Sequence, residues 1–386
     1  MSRVYLDYNA TTPVRPEVLE AMLPYFSEQY GNASSVHAFG QDAKGAIEEA
    51  RAQVAKFLNA TPGEIVFTGG GTESDNMGVL GAARLLAPKG RHAVVSAIEH
   101  EAVRSAADAL EAEGFAVTRV PAAGTGVVDP AAVEQALRPD TVLVSVMAAN
   151  NETGVIQRTA EIGAICAARG IAYHVDAVQA AGKIPIDVQA WQATFATITA
   201  HKFYGPKGAG ALYVKRGSKT APLYFGGEHE RGRRAGTENV PAIVGLGMAA
   251  HLALAELPEK PALIAALRDR MEAGLLASIP QVVRHGTGAP RVCNTSHLSF
   301  VGAEGEHLIL SLDMKGFACS AGSACKAGSS HPSHVLLGMG VPASVAQSAV
   351  RFSLGRTTTA AEIERVLEVV PEVVKKLRAG SPSFAS

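Results

Sequence analysis

The chain has 386 residues, enough for two or three domains and for a core that needs no disulfide or metal staple. Its 47% hydrophobic and 18% charged residues exclude a disordered chain. Lys and Arg number 35 against 36 Asp and Glu, a net charge of −1, which argues against a nucleic-acid binder because no basic excess is there to meet phosphates.

The N-terminus, Met1 to Tyr8, has no apolar run of the signal-peptide kind. From Pro62 to Val214 short β-branched runs alternate with stretches of helical length. Glu64–Phe67, His92–Ser96, Phe115–Val120, Thr141–Met147, Ile171–Val175, Thr194–Thr199 and Ala209–Tyr213 read as strands. Glu73–Leu86, His100–Glu113, Pro130–Leu137 and Thr159–Arg169 read as helices, the third opened by an Asp129 cap with proline at the first helical position. This alternation predicts an α/β fold with a mostly parallel sheet covered on both faces, whose ligands bind beyond the carboxyl ends of the strands.

Val240–Ala255 is the longest stretch of low charge; it carries His251 and falls short of the ~20 apolar residues of a membrane span. A second region begins near Pro258 and Pro261. Its helices are Pro261–Ser278, Glu304–Leu312 and a final one opened by the capping box Thr359-Ala-Ala-Glu362, and its strands are Thr295–Phe300, one near Phe317, and Ala349–Ser353. Ile363, Val366, Leu367, Val370, Val373, Val374 and Leu377 give the final helix one apolar face. The cysteines, Cys166, Cys293, Cys319 and Cys325, follow no framework spacing, which argues against a secreted disulfide scaffold. The expectation is a soluble, cytoplasmic chain with no membrane role.

Three segments carry chemistry. Gly69, Gly70 and Gly71 follow a strand and precede a helix, so backbone N–H groups can approach an anion such as phosphate; the run also fits an ordinary glycine-rich turn capped by Thr72. No P-loop lysine and no dinucleotide fingerprint accompanies it. Asp176 ends a buried strand and needs a cationic or hydrogen-bonding partner, either a structural salt bridge or the protonated ring nitrogen of a heterocyclic cofactor. Lys202 ends an apolar strand after His201; partial desolvation would lower its pKa and suit imine formation, whereas a lone lysine there would reach into water. Together at one sheet edge, the three meet the needs of pyridoxal phosphate (PLP): a phosphate cradle, a pyridinium partner and an imine lysine.

At this point the sequence resembles the cysteine desulfurases (NifS/IscS-like) of the class-V aminotransferase superfamily. The matching stretches, in order, are Tyr5-Leu-Asp-Tyr-Asn-Ala-Thr-Thr-Pro13, Gly31-Asn32, Gly71-Thr-Glu-Ser-Asp-Asn76, Glu99-His100, Asn150-Asn-Glu-Thr-Gly154, His174-Val-Asp176, His201-Lys202, Glu230-Arg-Gly-Arg-Arg-Ala-Gly-Thr237 and Val350-Arg-Phe-Ser-Leu-Gly-Arg356. The resemblance implies the PLP-dependent transferase fold (aspartate aminotransferase-like, fold type I). A large PLP-binding domain would span 15–257, and a small α/β domain 1–14 and 258–386. It further implies that Lys202 holds the cofactor as an imine, Asp176 pairs with the ring nitrogen, Gln179 hydrogen-bonds the ring hydroxyl and His100 stacks on the ring. Gly71, Thr72, Thr199 and His201 would hold the phosphate, joined by Thr237 from a neighbouring subunit in a homodimer. Asn151 and Arg351 would bind the substrate carboxylate, the planar Arg fork matching it with two hydrogen bonds; read alone, the Arg351 segment also suits a surface ion pair.

Cys325 matches the family's catalytic cysteine, in a run of small residues from Cys319 to Pro332 suited to a mobile loop (about 319–332). Lys326 beside it favours a thiolate. Half of about 12 loop residues, at roughly 3.3 Å each, reach ~20 Å. Cys319, Cys325, His331 and His334 match no usual zinc spacing, so no metal is expected. The run Glu228–Arg234 suits a solvated face by composition; the resemblance places it at the dimer and cofactor mouth instead. Three residues depart from the family pattern: Glu228 in place of a third glycine, Ala321 in place of serine, and Lys326 after the cysteine. The chain stops at Ser386, short of the longer tail with which some relatives dock a scaffold.

The implied activity is desulfuration of L-cysteine to L-alanine with a persulfide on Cys325, supplying an acceptor protein such as an iron–sulfur scaffold. Lys202 would serve as base and His100 would move the thiol proton. A lyase or transaminase acting on another amino acid, selenocysteine included, is the nearest enzymatic alternative; a non-catalytic sulfur carrier on the same fold is the alternative from another class.

Overall fold

The computed structural model describes residues 3–321 and 332–380. Strand β1 (Val4–Tyr5) leads to helices α1 (Pro16–Met22), α2 (Pro24–Ser27) and α3 (Ala38–Phe57). The central stretch runs β2 (Ile65–Thr68), α4 (Gly71–Asn76), a π turn (Met77–Gly81), α5 (Ala82–Leu86), β3 (His92–Ser96), α6 (Glu101–Ala112) and β4 (Ala116–Val120). It continues through α7 (Pro130–Ala136), β5 (Thr141–Ser145), α8 (Thr159–Ala168), β6 (Ala172–Asp176), β7 (Phe195–Thr199) and β8 (Gly210–Val214). The remainder comprises α9 (Val240–Glu256), α10 (Lys260–Ser278), β9 (Val282–Arg284), β10 (Thr295–Phe300), α11 (Gly305–Asp313), β11 (Phe317–Ala318), α12 (His334–Gly338), α13 (Ala343–Ala346), β12 (Ala349–Ser353) and α14 (Ala360–Ala379).

The seven β-branched runs form one sheet in the order β2-β8-β7-β6-β5-β3-β4. Strands β4, β3, β5, β6 and β7 are parallel, and β8 lies antiparallel between β7 and β2. Every residue of β2, β3, β5, β7 and β8 is buried, which is why these strands read as continuous apolar runs rather than alternating ones. The edge strand β4 is the one with exposed positions.

Expected and observed boundaries agree within two residues. Strand β5 stops at Ser145, and the helix expected over Glu73–Leu86 starts at Gly71 and passes through a π turn. Small residues set that course: a Cβ at Gly78 would stand 2.5 Å from the His174 ring on β6. Helix α3, 20 residues long, lies ahead of the stretch where periodicity is plain. It buries Ala43, Ile47, Ala50 and Val54 against α9, and a face built largely of alanine gives a faint apolar period. Helix α9 accounts for the low-charge stretch at 240–255: it buries Val240, Ile243, Leu246 and Ala250 in the main core. Among the described residues no single helix is long and apolar enough to cross a membrane.

The last third of the chain forms a separate layer. Strands β9, β10 and β12 make an antiparallel sheet, and β1 pairs in parallel with β11, Val4 opposite Phe317. Val4 and Leu6 thereby join Met271, Leu275, Phe300, Phe352, Ile363, Val366 and Val370 in one apolar cluster. Thr359 and Glu362 close the expected capping box, with backbone bonds of 2.8 and 3.2 Å.

The charged run at 228–234 is only partly a solvated face. Glu230 is buried and accepts both Arg51 Nη1 and Nη2 at 2.8 Å and the Phe67 N–H at 2.9 Å. Glu230 and Arg231 take positive φ angles of 48° and 59° to reach this position. The bidentate pair ties α3 and β2 to the segment that leads to Thr237. Arg51→Met would leave the Glu230 carboxylate buried without its cation, and is expected to destabilise the fold by about 3–5 kcal/mol in urea titration.

Candidate active site

The carboxyl ends of β6 and β7 and the start of α4 open onto a cavity of about 290 Å3. Its walls bring together Gly71, Thr72, His100, Asn151, Asp176, Gln179, Thr199, His201, Lys202 and Arg351, ten of the residues singled out in the sequence. Thr237 stands apart, in a recess lined also by Glu230, Arg234 and Gly69. Cys325, Lys326 and His331 lie outside the described residues.

Lys202 sits on a short 3-10 turn that continues β7. Its Nζ donates to the carbonyls of Asn9 at 2.7 Å and Ala10 at 2.8 Å. It therefore points into the cleft rather than into water. Asp176 terminates β6 and accepts the Val178 N–H at 2.9 Å. Among the described residues no lysine or arginine forms the structural salt bridge considered for it, whereas Asp75 lies beside it. Burial first, and then the neighbouring carboxylate, push Asp176 up to about 7; His100 opposes this. Burial likewise pushes Asp75 up to about 7.

Oxygens of Asp75 and Asp176 and a ring nitrogen of His100 lie within 4.8 Å of one another. His100 caps α6, its Nδ1 accepting the Ala102 N–H at 3.2 Å. Behind the two aspartates His174 is buried between Ser145 Oγ at 2.8 Å and Thr197 Oγ1 at 3.2 Å, and burial lowers its pKa to about 4, so it is a neutral spacer at pH 7.

Arg351 is buried, which removes the surface ion pair considered for it. Its Nη1 donates to the Asn151 carbonyl at 2.9 Å and its Nη2 to Asp7 Oδ1 at 2.8 Å. The Asn151 side-chain oxygen is buried with no hydrogen-bond partner among the described residues. At the other end of the cleft Gly70, Gly71, Thr72, Thr199 and His201 line a wider recess of about 670 Å3, where helix N–H groups and a hydroxyl meet. Burial and Lys202 depress His201 to about 4.

These residues fit PLP. A buried carboxylate in the cavity wall suits a protonated ring nitrogen, a lysine amine lines the same cavity, and the glycine turn offers backbone donors for a phosphate. The three described cysteines are poor nucleophiles: burial pushes Cys166 up to about 12 and raises both Cys293 and Cys319. Cys166 and Cys293 are packing residues, as their sequence settings suggest.

Five residues of the site were not assigned from sequence. Asp7 and Asn9 belong to a quoted motif, but nothing local shows that they face Arg351 and Lys202. Asp75 and Glu152 likewise sit inside quoted motifs; their burial is the informative fact. Lys183 reads as a solvent lysine, and its signal is the four-residue spacing from Gln179 through Ala-Ala-Gly.

The Aminotransferase class-V family matches residues 4–366. The chain is 49% identical to the cysteine desulfurase IscS of Methanosarcina thermophila over 379 residues, covering 98% of this chain and 94% of that one. It is also 49% identical to a cysteine desulfurase of Trichormus azollae, covering 99% and 95%. A solved NifS-like protein superposes with a TM-score of 0.91 at 38% identity, covering 97% of this chain and all of the other (100%).

The raised Asp75 pKa has a thermodynamic sign. Between the ordinary 3.8 and about 7 the folded chain holds a proton that the unfolded chain has released, so this group makes stability fall as pH rises through that window. His174, whose Nε2 stands 3.5 Å from Asp75 Oδ1, acts in the opposite direction. In cofactor-free protein, Asp75→Asn is expected to gain stability relative to the parent from pH 4 to pH 7 in urea titrations. A difference independent of pH would remove Asp75 as a strained carboxylate.

Proposed function

We propose, from the premise that this chain belongs to the class-V aminotransferase family and to its cysteine desulfurases, that the cleft at Lys202 converts L-cysteine to L-alanine and passes the sulfur to Cys325 as a persulfide. The observation that carries this reading is the meeting of Lys202, Asp176 and Arg351 in the walls of one cavity. Family membership implies PLP. Lys202 would hold its aldehyde carbon, Asp176 its ring nitrogen, Gln179 its ring hydroxyl and His100 its ring face, with Gly71, Thr72, Thr199 and His201 at its phosphate. When bound, that ring supplies an electron sink for the substrate's α-carbon.

The chain's own groups divide the remaining work. Arg351 and Asn151 bind the substrate carboxylate, and Asp7 keeps the buried guanidinium oriented toward it. Lys202 Nζ, held by the Asn9 and Ala10 carbonyls when free, takes the proton from Cα. His100 takes the thiol proton. The Cys325 thiolate attacks the substrate sulfur, an S–S bond forms and the Cβ–S bond breaks. Protons returned to Cβ and Cα complete alanine, so one cysteine yields one alanine and one added sulfur on Cys325.

The proposal includes a homodimer in which Thr237 reaches the partner's phosphate site. Its support is that Thr237 stands outside its own chain's cavity and that Phe26, Tyr30, Phe39 and Phe225 are exposed. It also includes a cytoplasmic location, delivery to an acceptor protein for iron–sulfur assembly, and the division of the chain into 15–257 and 1–14 with 258–386. Separate apolar clusters support that division.

Lys202→Ala is expected to lose both the visible absorbance band of lysine-bound cofactor and all turnover. Cys325→Ala is expected to bind cysteine, seen as a change in that band, yet release no sulfide under reductant. Mass spectrometry of the parent after cysteine should find one extra sulfur on Cys325. Parental sulfide output from Cys325→Ala would reassign the nucleophile.

A further inference from the structure

Beneath Lys202 lies a second buried lysine for which the reaction has no use. Lys183 Nζ donates to Gln179 Oε1 and, at 3.1 Å, to Asn9 Oδ1. The groups that act on it electrostatically are Cys293, Lys202 and Arg351, with no carboxylate among them. Burial lowers its pKa to about 7. A lysine held in this way is costly, because an apolar side chain of the same length would fill the space without desolvating a charge.

Resting on the PLP reading above, we propose that Lys183 is a positioning residue that locks the Gln179 amide with its nitrogen toward the cavity, making Gln179 a hydrogen-bond donor to the cofactor's ring oxygen. When protonated, below about pH 7, the Lys183 ammonium has three donors and no acceptor, so each amide must turn its oxygen to it. That settles the far end of both side chains. Gln179 Nε2 is left to donate to the Asn9 carbonyl at 3.0 Å, with its second N–H free for the cavity that Gln179 lines. Asn9 Nδ2 is left to donate to the Asn151 carbonyl at 3.2 Å and to Thr295 Oγ1 at 2.8 Å. Asn294 Nδ2 donates to the same Asn9 oxygen at 3.0 Å and enforces the same orientation there. The Asn9 carbonyl favours the same orientation from the nitrogen side, and Lys183 is the one donor to the Gln179 oxygen found among the described residues. With Lys183 gone that carbonyl is left as the single restraint on a flip that would set an oxygen against the ring oxygen, two acceptors face to face.

The test uses the PLP-loaded protein and follows the visible absorbance of lysine-bound cofactor against pH. Lys183→Met keeps the length and apolar stem and removes the donors. Its chromophore is expected to titrate about one pH unit higher than the parent's, the size of one lost charge-assisted hydrogen bond. The double variant Lys183→Met with Gln179→Leu should match Gln179→Leu alone, because the lysine acts through the amide. Lys183→Leu likewise removes the donors; it should shift the titration in the same direction and serves if Lys183→Met does not fold. Parental titration in Lys183→Met or in Lys183→Leu, or shifts that add in the double variant, overturns the proposal. A parent chain with no lysine-bound chromophore would instead overturn the PLP reading itself.

Discussion

Two main-chain carbonyls, those of Asn9 and Ala10, hold the ammonium of Lys202, and the arrangement of the cleft follows from that contact. A half-buried ammonium needs oxygens, and main-chain carbonyls supply them without adding a second ionised group that would compete for a ligand. The Asn9–Ala10 segment is brought there from the far side of the molecule: β1 pairs with β11, Asp7 grips Arg351, and the Asn9 amide is wedged against Asn151 and Thr295. The lysine at a strand end of the main sheet and the arginine on β12 of the smaller layer are thus set against each other by one short extended segment.

The opposite wall concentrates like charge. Asp75 and Asp176 share a corner of the cavity with His100, and the neutral His174 behind them supplies no positive charge. Such a corner is unfavourable by itself and becomes favourable when a cation enters it. Electrostatic strain of this kind makes a site selective, because only a ligand carrying positive charge at that depth relieves it. The cationic side, with Lys202, Lys183 and Arg351, complements this wall and suits the anionic end groups of an amino acid and of a phosphate.

Legibility in the sequence followed burial. The strands of the main sheet were readable because burial on both faces makes their β-branched runs continuous, whereas α3 was not, its buried face being mostly alanine. At the site, Asp176 and Lys202 were readable because a charge at the end of an apolar strand is conspicuous. Asp7, Asn9 and Lys183 were not, since their partners are distant in sequence: Asp7 and Arg351 are 344 residues apart. A lysine that donates to two amides also looks, in sequence, like any lysine bound for solvent. The run at 228–234 suited a solvated face by composition, yet Glu230 is enclosed by Arg51, a partner that no local pattern reveals.

The joining of the first residues to the last bears on how the chain is made. A ribosome releases Asp7 and Asn9 some 344 residues before Arg351, so that early segment must wait for β11 and β12 before it has its partners. Through most of translation the α/β body can assemble while its amine-holding strap hangs undocked. The pocket is therefore completed only after β12 has emerged, well after the main sheet can have formed.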